Sequence, residues 1–146
     1  MNSLINSSFV LIEVEDIMNN QFFISLAAVM AGLSVAAGAF ASHALKDRLS
    51  EKALAIFETG SKYQMYHALA LLIVGFFLSR SEVAPTLLNT AGWAFIVGVI
   101  LFSGSLYALS LSGVKWLGAI TPIGGVAFLV GWACLAIAAW SFNIEH

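Results

Sequence analysis

Apolar residues in this chain come in long uncharged blocks, not in the short alternating patterns of soluble elements. Phe22 to Ala44 contains no charged side chain. At about 1.5 Å per helical residue it is long enough to cross a hydrocarbon layer roughly 30 Å thick, which predicts a first transmembrane helix. Tyr63 to Ser79 is likewise uncharged, bounded by Lys62 and Arg80. This second span is short, and the aliphatic stem of Lys62 can lengthen it by reaching to the interface. Val83 to Val114 supplies a third helix, over Leu87 to Ser110, after a turn at Arg80, Glu82 and Pro85. A fourth runs from Trp116 to Phe142, broken or kinked near Thr121 and Pro122, because proline lacks the amide donor that a helical turn needs.

The segment joining the first two blocks has a different pattern. Lys46, Asp47, Arg48, Glu51, Lys52, Glu58 and Lys62 alternate with Leu49, Ala53, Ile56, Phe57 and Gly60 at helical spacing. Charges on one face and apolar groups on the other predict an amphipathic helix lying flat in the interface. Ser50 is placed to cap it, and Glu58 and Lys62 are placed as an i,i+4 pair. The predicted fold is therefore an all-α integral membrane protein: a bundle of four transmembrane helices with a short interfacial amphipathic helix between the first two.

Small residues predict how the spans pack. Lipid gives helices no hydrophobic reason to associate, so close backbone approach through small side chains is a common route. Ala28, Gly32 and Ala36 form one row on the first helix and Ser34, Gly38 and Ser42 another, predicting neighbours on both sides. Gly124, Ala127, Gly131, Cys134 and Ala138 form a single seam on the fourth.

Composition agrees with the block pattern. The 146 residues are 60% hydrophobic and 10% charged, with a mean hydropathy of +0.93, against about 25% charged in soluble domains. A formal net charge of −2 offers no field for nucleic acid. The single cysteine, Cys134, excludes an intrachain disulfide. Residues 1–17 are polar, with Glu13, Glu15 and Asp16 and no cation, and lack the basic start of a signal peptide. They read as an N-terminal extension, with Met18 as the expected natural start and 18–146 as one four-helix domain.

Cation placement predicts orientation. Lys46, Arg48, Lys52, Lys62 and Lys115 fall on one side and Arg80 on the other, so the positive-inside rule puts the 46–62 loop in the cytoplasm and both termini outside. Trp116, Tyr63, Tyr66 and Tyr107 fall at the expected inner interface, Trp93 and Trp140 at the outer.

Few residues offer chemistry. His43 ends the first block and His67 begins the second, placing both at the inner interface. Tyr63 and Gln64 precede His67 by four and three residues, on its face. With Tyr107 they form the candidate functional cluster: His43, Tyr63, Gln64, His67 and Tyr107. Such groups can tie helix ends together. They could also bind a metal or haem with Glu51 or Glu58 as third ligand, or shuttle a proton. The serines lack the base and orienting group of a nucleophile, and there is no phosphate-binding glycine loop. No catalytic residue, cofactor or metal ligand is assigned. No Asp or Glu lies within a predicted span, which argues against cation-coupled export.

Four ordered blocks, GAFASHALK (Gly38 to Lys46), FETGSKYQMYHALALL (Phe57 to Leu72), FSGSLYALSLSG (Phe102 to Gly113) and WLGAITPIGGVAFLVGW (Trp116 to Trp132), resemble the small bacterial inner-membrane family labelled domain of unknown function 423, which has vertebrate relatives. The resemblance covers nearly all of the chain after Met18. It implies a four-span protein of the bacterial plasma membrane with no assigned activity. Two readings follow. The first is a structural or accessory component acting through lipid and helix partners, a second copy included. The second is a channel or transporter for a neutral or weakly charged solute, its polar cavity built from Ser103, Tyr107, Thr121 and the histidines.

Overall fold

The computed structural model describes residues 2–80 and 85–141, with side chains from residue 20 onward. Its long elements are all helical: α1 (Asn2–Phe40), α2 (Glu51–Arg80), α3 (Pro85–Ser112) and α4 (Thr121–Ser141). Most of the expected turn after Arg80, at 81–84, lies outside the described residues, as does the predicted end of the fourth helix at Phe142. Asn20–Leu45, Pro85–Ser112 and Lys115–Ser141 are long and apolar enough to cross a membrane. That is three of the expected four. The exception is α2, whose first turns carry Glu51, Lys52, Glu58 and Lys62.

Extensive packing runs between sequence neighbours, α1 on α2, α2 on α3 and α3 on α4. The two middle helices therefore supply most of the core. Phe23, Ala27 and Met30 of α1 meet Leu71 and Val74 of α2, and Leu88, Phe95 and Val99 of α3 continue the cluster toward Phe128 and Leu135 of α4. Phe23 is fully buried, its ring seated where a side chain on Gly92 would stand.

The connections differ from the sequence reading in three ways. First, α1 closes in one wide turn, Ala41–Leu45, in which the Lys46 amide donates to the Ala41 carbonyl at 3.1 Å. Ser50 then caps α2 by accepting from the Ala53 amide at 3.2 Å, as its position predicts. Second, the amphipathic segment is not a separate interfacial helix. Residues 51–62 are the opening turns of α2 and run unbroken into the apolar part. Its apolar face is covered by protein: Phe57 and Gly60 are buried, with Phe57 packed on Ala41 and Leu45. Among the described residues Glu58 and Lys62 form no ion pair. Third, the fourth segment, expected to be broken or kinked near Thr121 and Pro122, is broken there and not kinked at Pro122. A short 3₁₀ turn, Lys115–Ala119, precedes it, and α4 starts at Thr121, so Pro122 sits in the first turn, where its missing amide costs nothing.

The α4 seam packs as its spacing predicts, with Gly124, Gly131 and Ala138 buried against α3. A Cβ on Gly124 would stand against the Phe102 backbone, and the Phe95 ring occupies the space a side chain on Gly131 would need. The interlock is reciprocal, because the Phe128 ring of α4 fills the equivalent space at Gly98 of α3. On α1 only half of the expectation holds. Ser34 is buried against α2, but Ala28, Gly32 and Ala36 face outward, and nothing lies within 4 Å of a Cβ built on Gly32.

Candidate functional site

Because α2 begins at Glu51, His67 lies roughly 24 Å along the helix from that end, in its middle turns. Its side chain is 4% exposed. The imidazole stacks on Phe128, centroids 3.4 Å apart and planes 5° apart, with Phe95 at 5.6 Å. Nδ1 lies 2.8 Å from the Tyr63 carbonyl oxygen, which can only accept, so Nδ1 carries the proton. Nε2 is then an acceptor, and the Trp132 indole N–H donates to it at 3.2 Å. Both ring nitrogens are thus engaged in the neutral tautomer.

Gln64 and Tyr107 form a second constellation, one turn before His67 along α2. The Gln64 amide donates to the Met30 carbonyl at 2.8 Å, and the Tyr107 hydroxyl donates to Gln64 Oε1 at 3.0 Å, joining α1, α2 and α3. One turn away Ser34 and Ser61 exchange hydrogen bonds, each hydroxyl donating to the other's carbonyl at 2.7 and 2.9 Å. Ser110 donates to the Ala53 carbonyl at 2.7 Å, and Ser105 shares a 2.8 Å bond with Thr121 across α3 and α4. Polar groups inside an apolar bundle are costly unless paired, and these pairs fix helix register.

Of the five residues singled out, Tyr63 meets His67 and Gln64 meets Tyr107. The Tyr63 ring stacks on Phe102, centroids 4.6 Å apart. His43 joins neither pair. It is exposed in the wide turn after α1, with no hydrogen bond or ring contact to the other four. Among the described residues no three His, Cys, Asp or Glu side chains gather as metal ligands would. Phe128 and Trp132 are the residues the sequence reading missed. They stand four apart beside the glycine seam, so aromatic residues on the flank of a packing seam were the available signal.

Between α2 and α4, which α3 holds apart, runs an open groove of about 670 Å³. Tyr63, Tyr66, Phe102, Gly125 and Trp132 line it, with His67 and Phe128 at its base.

An all-helical chain whose long helices bury aromatic and small side chains against one another, and expose Val35, Ile100, Leu129 and Trp140 outward, has the build of an integral membrane protein. Comparison with known proteins places it more closely. Residues 37–125 match the family model described as "Protein of unknown function (DUF423)". A UPF0382 membrane protein of Staphylococcus epidermidis is 48% identical over 120 residues, covering 82% of this chain and 96% of the relative. One from Staphylococcus aureus is 46% identical over 122 residues, 84% and 98% of the two chains. The UPF0382 membrane protein YwdK of Bacillus subtilis is 45% identical over 117 residues, 80% and 94%. The chain belongs to the DUF423 family of membrane proteins. No solved structure matches it.

Proposed function

We propose that this protein is a structural or accessory component of the bacterial plasma membrane, without enzymatic activity, whose work is done by helix surfaces and lipid contact. The observation that carries this reading is that most of its interior polar groups close upon one another, the buried Ser103 hydroxyl being an exception among the described residues. Gln64, Tyr107, Ser34, Ser61, Ser105, Thr121 and Ser110 are each spent on a bond that ties two helices. Nucleophilic chemistry needs a serine or threonine beside a base, and among the described residues no hydroxyl bonds to either internal histidine. Of the residues that would line a solute path, three are separately paired, Tyr107 with Gln64, Thr121 with Ser105 and His67 with Trp132, while Ser103 is buried without a partner and His43 is exposed outside the core.

In this reading α2 spans the bilayer as well. It is 30 residues long and packs between α1 and α3, which are both apolar enough to cross. The resulting four-span bundle keeps both termini outside and the 46–50 connection in the cytoplasm. The outer face of α1, where Ala28, Gly32 and Ala36 stand clear, is available to another helix. Purified protein reconstituted in liposomes tests the proposal. Flux of neutral and weakly charged solutes should match that of empty liposomes. Selective flux lost in Tyr107→Phe would establish the channel reading instead.

A further inference from the structure

The groove between α2 and α4 has a chemistry that goes beyond a packing role. Its walls are apolar and aromatic, and it opens sideways between Tyr66 on α2 and Val126 and Leu129 on α4, residues that are themselves exposed. Its volume of about 670 Å³ lies within the roughly 300–1,000 Å³ of small-molecule sites. Gly125 keeps the α4 wall low, since a Cβ there would meet only the edge of Phe102, at 4.0 Å.

Lys62 is not itself a lining residue of the groove but adjoins Tyr63, which is. Lys62 precedes Tyr66 by four residues and so shares its face of α2, one turn nearer the cation-rich end. It is exposed and, among the described residues, unpaired. A cation and a phenol hydroxyl one turn apart, at the mouth of a hydrocarbon-lined groove, complement an amphiphile with an anionic head and an aliphatic tail. One face of each of these lining rings is already covered by another ring, Tyr63 on Phe102 and His67 on Phe128. Such a wall suits a flexible chain better than a flat ring system. We propose that this groove binds one anionic phospholipid, its phosphate at Lys62 and Tyr66 and one acyl chain lying along Phe102, Gly125 and Trp132. The site rests on the membrane-embedded reading of α2, but not on the absence of enzymatic or transport activity.

Fluorescence quenching tests the site directly, because Trp132 lines the groove while Trp140, on the same helix, is 72% exposed outside it. Full-length variants keeping only Trp132 or only Trp140, the other tryptophans replaced by Phe, are reconstituted in phosphatidylcholine vesicles. These vesicles contain a minor fraction of either brominated phosphatidylglycerol or brominated phosphatidylcholine. Trp132 should prefer the anionic lipid about fivefold, the worth of one lysine near an anionic headgroup, and Trp140 should show no preference. Lys62→Gln in the Trp132-only protein should remove the preference while leaving quenching by brominated phosphatidylcholine. Gly125→Leu should lower quenching by both lipids. Equal preference at the two tryptophans, or a preference that survives Lys62→Gln, overturns the proposal. So does shielding of Trp132 from both lipids, which would assign the groove to a second copy or another helix. A dithionite-accessibility scan showing α2 outside the bilayer would instead remove the spanning premise.

Discussion

The imidazole of His67 lies face to face with the Phe128 ring, centroids 3.4 Å apart and planes 5° from parallel. That stack is how α2 reaches α4, since the two helices share no extensive backbone contact and α3 stands between them. The Trp132 indole completes the link through its bond to Nε2. Trp132→Phe keeps the ring and removes the donor, so it should lower stability by about 0.6–1.7 kcal/mol, the range of single interhelical hydrogen bonds in membranes. His67→Phe removes the acceptor, and the double variant should cost less than the two singles summed. Unfolding in mixed micelles by sodium dodecyl sulfate titration measures all three.

The α3–α4 interface depends on two glycines accepting rings and one accepting backbone. Gly124→Val places side-chain atoms against the Phe102 backbone, which cannot move aside as a flexible side chain can. Overpacking of this kind costs about 1–3 kcal/mol, and here it should force α4 away from α3. Gly32→Ala is the matching control, because the added methyl meets nothing within 4 Å. Its effect should stay within about 0.5 kcal/mol. The same micelle titration should rank the two variants in that order.

The elements most legible in the sequence were those set by local chemistry. Uncharged length marked α1, α3 and α4, the Ser50 hydroxyl marked the start of α2, and the spacing of Gly124, Gly131 and Ala138 marked the face α4 turns to α3. The failures came where tertiary contact outweighed local pattern. Residues 49–62 have the period of an interfacial helix, yet protein, not lipid, covers Phe57 and Gly60, so the charged turns simply extend α2. That extension puts His67 in the middle turns of α2 and not at the start of a helix. The break near Thr121 and Pro122 was legible, but not that Pro122 would lie in the first turn of the helix that follows it. Nothing local ties His67 to Trp132, 65 residues away.

Gln64 holds three helices together through both ends of one amide, donating to Met30 of α1 and accepting from Tyr107 of α3. Tyr107→Phe leaves Gln64 Oε1 without its donor and should cost about 0.6–1.7 kcal/mol. Gln64→Leu strips both bonds and also deprives the tyrosine hydroxyl of its acceptor Gln64 Oε1. Adding Tyr107→Phe to Gln64→Leu should therefore restore part of the loss, since two apolar groups of similar shape need no partners. A double-mutant cycle by thermal unfolding in detergent should give a coupling of matching sign.

Topology separates the three-span and four-span readings outright. Asn20–Leu45, Pro85–Ser112 and Lys115–Ser141 are each apolar enough to cross; if α2 lay outside the bilayer, three crossings would leave the two ends of the chain on opposite faces. With α2 crossing as well, they share a face. The described cations favour the second arrangement: Lys46, Arg48, Lys52, Lys62 and Lys115 then gather at one end and Arg80 alone at the other, as the positive-inside rule requires. An alkaline phosphatase fused after the last residue should be active, and the same enzyme inserted between Asp47 and Leu49 inactive. Cysteines placed at Asp47 and Arg80, on either side of α2, should be labelled by a membrane-impermeant maleimide from opposite sides, with Asp47→Cys reached only after the cells are opened. Labelling of both from outside intact cells would remove α2 from the bilayer and the lysine-ringed end from the cytoplasm.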